Sequence, residues 1–408
     1  GQLASALERT AADYDAAPYA SHAFPMTQPA RLSAIARMFG LQAPPVETAR
    51  VLELGCAAGG NLLPLAQRFP DAQFLGVDLS GVQVEHGRRR LGRLGLKNIE
   101  LRHGSITEVG EADGTFDSII CHGVYSWVPE AVREAILRIC ATRLADNGMA
   151  IISYNVMPGW HLKRIARDAM LAHAAHIPDP AQKVGQAKAL MNFLKDKVAQ
   201  ATPYGNALRT EATFLANQRD DYVLHEFLEA ENAPCTITEF VLAAEKHGTS
   251  YLAETEIHTM LAETYGEDTA KALRELAGNR LLPLEQYIDI LTGRTFRQFR
   301  IGLQFVVQCL TAAPFLLVPR QIVRVTVNNH GCILLVWMPW RGNRSEGRQF
   351  LMFRVFHVPD MRGCGVPAAF KYANAWEQVL PITLYRDHHE TDSCRQRHVH
   401  HCADAIPR

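Results

Sequence analysis

The chain has 408 residues, more than one hydrophobic core usually organises, so we expect two or three domains. Lys plus Arg and Asp plus Glu number 42 each, and this balance excludes a strong overall field that would attract nucleic acid or an anionic membrane. Nine cysteines without a paired spacing favour reduced thiols over a disulfide framework, and no export signal is visible, so we expect a cytoplasmic protein.

Residues 1–45 predict an N-terminal helical lead that serves as a lid, and residues 46–158 predict a catalytic domain. In the second range, short apolar segments alternate with helical ones, as in a parallel sheet covered by helices on both faces. The pattern predicts an α/β fold with a Rossmann-like, doubly wound, mostly parallel sheet. The predicted strands are residues 49–55, 72–79, 98–104, 116–123 and 149–155, and the predicted helices are residues 61–69, 82–95 and 129–145.

Residues 159–300 show helical periodicity throughout and predict a separate all-α accessory domain without further strands. From Phe299 onward Lys nearly vanishes while Arg, His and Cys accumulate, so the fold of residues 301–408 is left open. A reading-frame shift in the source gene and a partly ordered tail are the two hypotheses for this change. Within the tail, residues 321–327 and 332–338 predict a β-hairpin, and they are the candidates for a sixth and a seventh strand.

Two features of the tail resemble functional segments, but we expect neither of them to be one. The uncharged residues 301–319 are long enough to cross a bilayer, but polar residues and a proline interrupt them, so we expect a buried segment and no membrane span. Cysteine and histidine near the terminus are good zinc ligands, but they are crowded together without strand context, so we expect no metal site. These ligand candidates are Cys394, His398, His400, His401 and Cys402.

The most informative segment is VLELGCAAGG at residues 51–60, a strand that runs into a glycine turn and a helix. Ala57 occupies the position where a dinucleotide fold has its middle glycine, and no Lys with Ser or Thr follows Gly59 as a P-loop requires. The pattern of Glu53, Gly55 and Gly59 instead suits a ligand with an amino-acid portion and no phosphate, such as S-adenosylmethionine. We expect Cys56 and Asn61 at the same site.

Two later strand ends complete the predicted cofactor site. Asp78 ends the second strand about 20 residues beyond the turn, where a carboxylate can accept hydrogen bonds from both ribose hydroxyls, and Leu79 follows it. Ser105 and Ile106 follow the third strand, where an adenine would lie between apolar side chains. Taken alone, Asp78 could equally cap the next helix, and only its spacing from the glycine turn favours the ligand.

The ends of the fourth and fifth strands predict the acceptor site. A sulfonium or an ammonium is stabilised by aromatic faces, and both exits are rich in aromatic residues. Core packing is the alternative for each ring, and His122 is a candidate general base or a structural hydrogen-bonding group. Cys121 is expected beside the cofactor, and the expected catalytic residues are Tyr125, Trp127, Tyr154 and Asn155, with Trp160 completing the lining.

These motifs, together with DYDAAPYASHAFPMTQPARL before the sheet and YVLHEFLE behind it, resemble bacterial class I methyltransferases that carry a methyltransferase regulatory domain. The resemblance covers residues 10–298. It implies S-adenosylmethionine as methyl donor, with Gly55 and Gly59 at its methionine end, Asp78 at the ribose, and Ser105 and Ile106 on the adenine side. It further implies that Tyr14 and Tyr19 close the pocket, and that residues 159–300 are the regulatory domain. Some relatives, the rickettsial outer-membrane-protein lysine methyltransferases, methylate lysines of proteins.

We therefore predict an S-adenosylmethionine-dependent methyltransferase whose acceptor is a protein lysine, with the helical domain making substrate contacts or the subunit contacts of a homodimer. Cys-His-Gly-Val follows the fourth strand where amino-methyltransferases acting on adenine or glutamine have Asn-Pro-Pro-Tyr, which argues against a nucleic-acid substrate. A small-molecule methyltransferase and a non-catalytic binding module of the same fold are the alternatives. A nicotinamide-dependent oxidoreductase is disfavoured by Ala57.

Overall fold

The computed structural model describes residues 2–16, 18, 20–39, 42–303, 326–328, 331–339, 350–358 and 377–383. The chain divides into two compact units, Gly1–Pro314 and Phe315–Arg408. The predicted zinc-ligand candidates of the tail and residues 304–319 lie outside the described residues. Within the described part, no helix is both long and apolar enough to cross a membrane.

The first unit is built on a seven-stranded sheet with strand order β3-β2-β1-β4-β5-β7-β6. The first five strands pair in parallel, and β7 runs antiparallel to both of its neighbours. This arrangement confirms the predicted Rossmann-like, mostly parallel sheet. The strands are β1 (Arg50–Leu54), β2 (Gln73–Asp78), β3 (Ile99–His103), β4 (Phe116–Cys121), β5 (Leu144–Asn155), β6 (Thr249–Glu254) and β7 (Phe296–Leu303).

Helices cover both faces of this sheet because each strand alternates apolar side chains between two cores. One core joins strand residues such as Leu52 and Ile152 to Ile136 and Phe240, and the other joins Val51 and its neighbours to the opposite helices. The helices before the end of β5 are α1 (Gln2–Ala16), α2 (Pro29–Met38), α3 (Leu63–Arg68), α4 (Gly81–Leu94) and α5 (Glu130–Arg143).

The segment after β5 is mostly helical, and its first five elements, four α-helices and a π-helix, pack around a core of their own that includes Met170, Leu208 and Phe227. A single turn of π-helix, Leu224–Leu228, continues directly from α9. The helices are α6 (Trp160–Ala174), α7 (Pro180–Lys197), α8 (Pro203–Ala216), α9 (Asp220–Val223), α10 (Ile237–Lys246), α11 (Glu267–Ala277) and α12 (Leu281–Thr292).

The prediction that residues 159–300 contain no strand was wrong, because β6 and most of β7 lie in this range and complete the sheet. Strand β7 escaped prediction because two fully buried arginines, Arg297 and Arg300, stand among its apolar residues. Arg297 is compensated by ion pairs of 2.8 to 2.9 Å to Glu254, Glu285 and Asp289. Those partners come from β6 and α12, so the compensation is visible only after folding.

The second unit contains a four-stranded antiparallel sheet with strand order β11-β10-β9-β8. The predicted hairpin corresponds to β8 and β9, which pair from Asn328 opposite Gly331 onward. These strands do not supply the sixth and seventh strands of the first sheet, which was the alternative we considered. The strands are β8 (Thr326–Asn328), β9 (Gly331–Pro339), β10 (Phe350–Val358) and β11 (Glu377–Thr383).

Candidate functional site

The turn after β1 is held in an open, left-handed conformation. Gly55, Ala57 and Gly59 have φ values of +79°, +48° and +72°, a region that favours glycine and costs energy at Ala57. The N–H groups of Gly55 and Cys56 both donate to the carbonyl oxygen of Val77, at 2.8 and 3.2 Å. These bonds tie the turn to β2.

Asp78 holds the strained residue of this turn in place. Its Oδ2 accepts a hydrogen bond from the N–H of Ala57 at 2.7 Å, and its Oδ1 accepts one from the N–H of Ser80 at 2.9 Å. Burial raises the pKa of the carboxyl group, and the two N–H groups oppose that rise. Leu79 lies between Asp78 and Ser80 in the chain, and its carbonyl oxygen is 3.2 Å from Nε2 of His103. Asp78 therefore connects the two strand ends that we assigned to one ligand.

Glu53 is a buried carboxyl group directly below the turn. Its Oε1 accepts a hydrogen bond of 2.7 Å from Nδ2 of Asn61, which also donates to Oγ1 of Thr27 at 2.9 Å. Oε2 of Glu53 is buried and has no hydrogen-bond partner among the described residues. Burial raises the pKa of Glu53 to about 8, against the hydrogen bond from Asn61. The site thus contains a proton-binding group with one unused oxygen.

The N-terminal segment lies over this site. The N–H of Gly60 donates to Oγ of Ser21 at 2.7 Å, and a Cβ on Gly60 would overlap the backbone of Ser21. The N–H of Phe24 donates to Oδ1 of Asn61 at 2.9 Å. Asp15 accepts a hydrogen bond of 2.5 Å from Oγ of Ser80, at the start of α4. These contacts hold Asp15, Ser21 and Phe24 against the glycine turn and the start of α4.

Of the two tyrosines expected to close the pocket, the structure describes Tyr14 and not Tyr19. The ring of Tyr14 stacks on the imidazole of His225 with a centroid distance of 4.5 Å and an interplanar angle of 6°. His225 is buried in the π-helix and lies 2.7 Å from Oε1 of Glu229. Tyr14 therefore connects α1 to the π-helix, a contact that we did not predict from the sequence. The His-x-x-x-Glu spacing of His225 and Glu229 was the one feature of the sequence that could have indicated a buried histidine here.

Ser105 and Ile106 follow β3, as predicted. Oγ of Ser105 lies 2.7 Å from Oγ1 of Thr107 and accepts a hydrogen bond from the N–H of Thr107, so it caps a short 3-10 helix. Ile106 packs against the core that contains α5. The segment of Ser105 and Ile106 lies close to Asp78, because the carbonyl oxygen of Asp78 accepts a hydrogen bond of 3.0 Å from the N–H of Gly104.

The two cysteines predicted near the cofactor have buried side chains. Cys56 is 3% exposed and packs beneath the turn, where a Cβ on Gly76 would come within 2.7 Å of its sulfur. Cys121 is 0% exposed and belongs to the same core as Cys140. Burial raises the pKa of both Cys56 and Cys121, so their thiols stay protonated. At these positions only the backbone is left to contact a ligand.

Two of the expected catalytic rings lie in the hydrophobic core, which corrects their assignment to a pocket lining. Tyr154 is 1% exposed and stacks on Phe240 of α10 at 4.4 Å, and Tyr125 meets the same ring edge-on at 5.1 Å. Burial raises the pKa of both tyrosines, so both hydroxyls stay protonated. The reason is long-range packing, because Phe240 comes from α10, which is distant from both tyrosines in sequence.

The other two predicted catalytic residues, Trp127 and Asn155, lie beside a loop from the helical segment. Trp127 and Trp160 are perpendicular with centroids 6.0 Å apart, and Nε1 of Trp160 donates to Oδ1 of Asn232 at 3.0 Å. The N–H of Asn155 donates to Oγ of Ser126 at 2.8 Å. Nδ2 of Asn155 and Nδ2 of Asn232 are buried, and neither has a hydrogen-bond partner within the described part of the chain.

His122 is held between rings. Its imidazole lies 4.4 Å from the ring of Phe24 and 5.9 Å from that of Phe296. Burial, and to a smaller extent nearby His22, lowers its pKa to about 4, so the imidazole is neutral at neutral pH. A group of such low basicity does not remove a proton from an ammonium, which favours the structural interpretation of His122.

Comparison with known proteins agrees with this geometry. Residues 51–148 match the family described as "Methyltransferase domain", and residues 219–299 match the family described as "Predicted methyltransferase regulatory domain". The chain is 46% identical over 286 residues to the uncharacterized protein RP789 of Rickettsia prowazekii (strain Madrid E), covering 70% of this chain and 51% of that protein. It is 41% identical over 234 residues to the uncharacterized protein RP028 of the same organism, covering 57% of this chain and 94% of that protein.

Solved structures show the same similarity. The structure of PKMT2 from Rickettsia typhi matches with a TM-score of 0.65 at 38% identity, covering 71% of this chain and 55% of that chain. The structure of PKMT2 in complex with AdoHcy matches with a TM-score of 0.64, also at 38% identity, over 70% of this chain and 55% of that chain. The chain therefore spans about half the length of RP789 and of PKMT2. Together these findings confirm the resemblance, and the chain belongs to the class I S-adenosylmethionine-dependent methyltransferases that carry a methyltransferase regulatory domain.

Proposed function

We propose that this chain binds S-adenosylmethionine at the carboxyl edge of its parallel strands and transfers the methyl group to the side-chain amine of a protein lysine. The proposal has a cofactor part and an acceptor part. The family supports the first part, and the site geometry described above adds residues to it. The second part rests on the relatives and on the chemistry of the β4 and β5 exits.

The observation that carries the cofactor part is the unpartnered Oε2 of Glu53, buried beneath the glycine turn. A buried carboxylate oxygen without a partner is costly, and a cationic ammonium next to it would remove that cost. The methionine end of the cofactor carries an ammonium group, and the turn at Gly55 and Gly59 offers backbone without side chains. We assign Asp78 to the ribose hydroxyls and Ser105 with Ile106 to the adenine.

When bound, the cofactor supplies an electrophilic methyl group on a positively charged sulfur. The work left to the protein is to orient the amine and to exclude water. Ser21 and Phe24 are hydrogen-bonded to Gly60 and Asn61 at the end of the glycine turn, so we assign residues 20–24 the role of a lid.

A lysine acceptor must be neutral to act as a nucleophile, and its pKa in water is about 10.4. The protonated hydroxyls of Tyr125 and Tyr154 are not bases, and the neutral imidazole of His122 is too weakly basic. Burial of the amine among apolar side chains lowers its own pKa, because desolvation disfavours the ammonium form. We therefore assign deprotonation of the acceptor to desolvation, with the proton released to solvent.

The similarity to PKMT2 of Rickettsia typhi supports a protein lysine as acceptor, in agreement with the resemblance to rickettsial protein-lysine methyltransferases. Because this chain covers 55% of PKMT2, activity, acceptor and partners of the whole protein all belong to the proposal. Residues 219–299, which match the regulatory family, include Ala233 and Cys235, whose N–H groups donate to Ser126 and Asn155 at the β4 and β5 exits. This supports a role for the segment in contacting the acceptor.

The test is methyl transfer from labelled S-adenosylmethionine to a lysine-containing protein, read by mass spectrometry, with the same protein after lysine acetylation as control. We expect label on lysine only in the unmodified protein. Label on small amines but on no protein would favour a small-molecule methyltransferase instead. Cofactor binding without transfer to any acceptor would favour the non-catalytic module and contradict the proposal.

A further inference from the structure

The loop between the π-helix and α10 is attached to the ends of two sheet strands. The N–H of Ala233 donates to the carbonyl oxygen of Ser126 at 2.8 Å, and the N–H of Cys235 donates to that of Asn155 at 3.1 Å. In return, the N–H of Met157 donates to the carbonyl oxygen of Cys235 at 3.0 Å. The loop therefore belongs to the same edge of the sheet as the predicted acceptor site.

The start of this loop is fixed from the other side. Arg167 of α6 is 5% exposed, and its guanidinium donates to the carbonyl oxygens of Phe227 and Glu229 at 2.8 and 2.6 Å. Main-chain carbonyl groups thus compensate the positive charge of Arg167, which is not available to a ligand. Because both ends are fixed, the side chain of Asn232 is held in a defined place.

The orientation of the Asn232 carboxamide follows from its neighbour. An indole N–H can only donate, so the atom 3.0 Å from Nε1 of Trp160 must be the oxygen. The NH₂ group consequently points the other way, where it is buried and unpartnered among the described residues. Nδ2 of Asn155, a residue 1% exposed, is unpartnered as well.

An unpartnered buried donor calls for an acceptor oxygen from a ligand. It does not suit a lysine ammonium, which has only donors. A neutral amide donor matches a neutral carbonyl, and the polypeptide chain on either side of a target lysine offers one per residue. The site lies next to the cofactor turn, since Ser126 and Trp127 closely follow Val124, which contacts Gly55.

We propose that the NH₂ group of Asn232 donates a hydrogen bond to a backbone carbonyl of the acceptor polypeptide, with Trp127 and Trp160 beside it. Asn232 is then a substrate-binding residue that the regulatory segment supplies to the catalytic sheet. The inference rests on the proposed function, and it adds that the enzyme recognises peptide backbone and not the amine alone.

The test compares two acceptors, the capped peptide Ac-Gly-Lys-Gly-NH₂ and n-butylamine, which presents a similar amine without a carbonyl. Asn232→Asp keeps an oxygen for Trp160 and removes the donor, and its new charge acts on both acceptors alike. The control is Asn217→Asp, which introduces the same change at an exposed position. Calorimetric titration with S-adenosylmethionine checks that each variant keeps its fold.

We expect Asn232→Asp to lower kcat/KM for the peptide about tenfold relative to n-butylamine, mainly through KM, as one lost hydrogen bond predicts. Asn217→Asp should leave the ratio unchanged. If Asn232→Asp does not fold, Trp160→Phe removes the donor that orients the amide and should lower the same ratio.

Two outcomes have distinct meanings. An unchanged ratio in a variant that still binds cofactor, while the wild type methylates both acceptors, overturns the role of Asn232 and leaves the proposed function intact. A wild-type protein that methylates neither of these acceptors nor a lysine-containing protein contradicts the proposed function itself, and the inference falls with it.

Discussion

Val124 packs directly against Gly55, so closely that a Cβ on Gly55 would overlap its Cγ2 atom. Gly55 opens the turn after β1, and Val124 lies in the loop after β4, so one contact joins the predicted cofactor site to the predicted acceptor site. Glycine is therefore required at residue 55 for two reasons. A side chain would overlap Val124, and the φ of +79° disfavours any residue with a Cβ. A change at this contact should affect both sites.

Gly55→Ala should weaken binding of S-adenosylmethionine and destabilise the fold. Gly95→Ala is the matched control, because Gly95 also has a positive φ but a Cβ there would meet no atom within 4 Å. The control should cost about 1–2 kcal/mol from backbone strain alone. Gly55→Ala should cost about 1–3 kcal/mol more because of overpacking against Val124. Urea unfolding measures both, and equal losses would show that the contact with Val124 is unimportant.

The pKa of Glu53, about 8 in the folded protein, predicts a dependence of stability on pH. Between the ordinary value of 4.5 and 8, the folded state binds this proton and the unfolded state does not. The free energy of unfolding should therefore fall as pH rises through this window, by up to about 1.4 kcal/mol per pH unit, and be independent of this group above it. Glu53→Gln should remove that slope.

The same group predicts the pH dependence of cofactor binding. An ammonium beside Glu53 favours the carboxylate, so binding should release a proton, and affinity should rise with pH up to about 8. Calorimetry in buffers of different ionisation enthalpy would detect that proton. Proton uptake, or an unchanged pH dependence in Glu53→Gln, would contradict a contact between Glu53 and the cofactor ammonium.

Two neighbouring arginines of β7 should respond in opposite ways to substitution. Arg297→Met leaves Glu254, Glu285 and Asp289 without their shared cation and should cost roughly 3–5 kcal/mol. Arg300→Met removes a buried guanidinium whose Nε and Nη2 have no partner in the described residues, and it should stabilise by about 1–3 kcal/mol. Thermal unfolding compares them. Equal destabilisation would mean that Arg300 has partners beyond those described.

The ring and the hydroxyl of Tyr154 should contribute differently to the stability of the core. Tyr154→Phe removes a buried oxygen that has no hydrogen-bond partner in the described ranges, so stability and kcat should change little. Tyr154→Ala removes the ring that stacks on Phe240 and should cost about 3–5 kcal/mol. A large loss of kcat in a well-folded Tyr154→Phe protein would restore the catalytic role expected from the sequence.

Sequence reasoning located the five parallel strands because each is a short apolar segment between helical ones. It missed β6 and β7 for physical reasons that are not local. Strand β7 resembles a solvated segment, and only the carboxylates brought by β6 and α12 make Arg297 compatible with burial. The change of composition noted at Phe299 falls inside this strand, and Phe299 itself is fully buried.

The candidate site likewise contains residues whose position the sequence predicts and residues whose position only the folded chain shows. The position of Glu53, Gly55 and Asp78 at one edge of the sheet could be predicted because strand order alone brings their segments together. Their contact with the cofactor stays a prediction. Tyr125 and Tyr154 were expected in a pocket because aromatic residues at strand ends suit one, but Phe240 from α10 packs them into the core. Asn232 offered no signal in the sequence, since its role depends on a loop that folds back onto β4 and β5.

Calorimetric titration of the full chain with S-adenosylmethionine and S-adenosylhomocysteine tests the central claim most directly. Asp78→Ala removes the carboxylate that accepts from Ala57 and Ser80, and Asp71→Ala changes an exposed aspartate as the control. We predict binding at about micromolar affinity or tighter in the wild type and in Asp71→Ala, and its loss in folded Asp78→Ala. Absence of binding by either ligand, or binding of NAD in their place, would contradict the assignment.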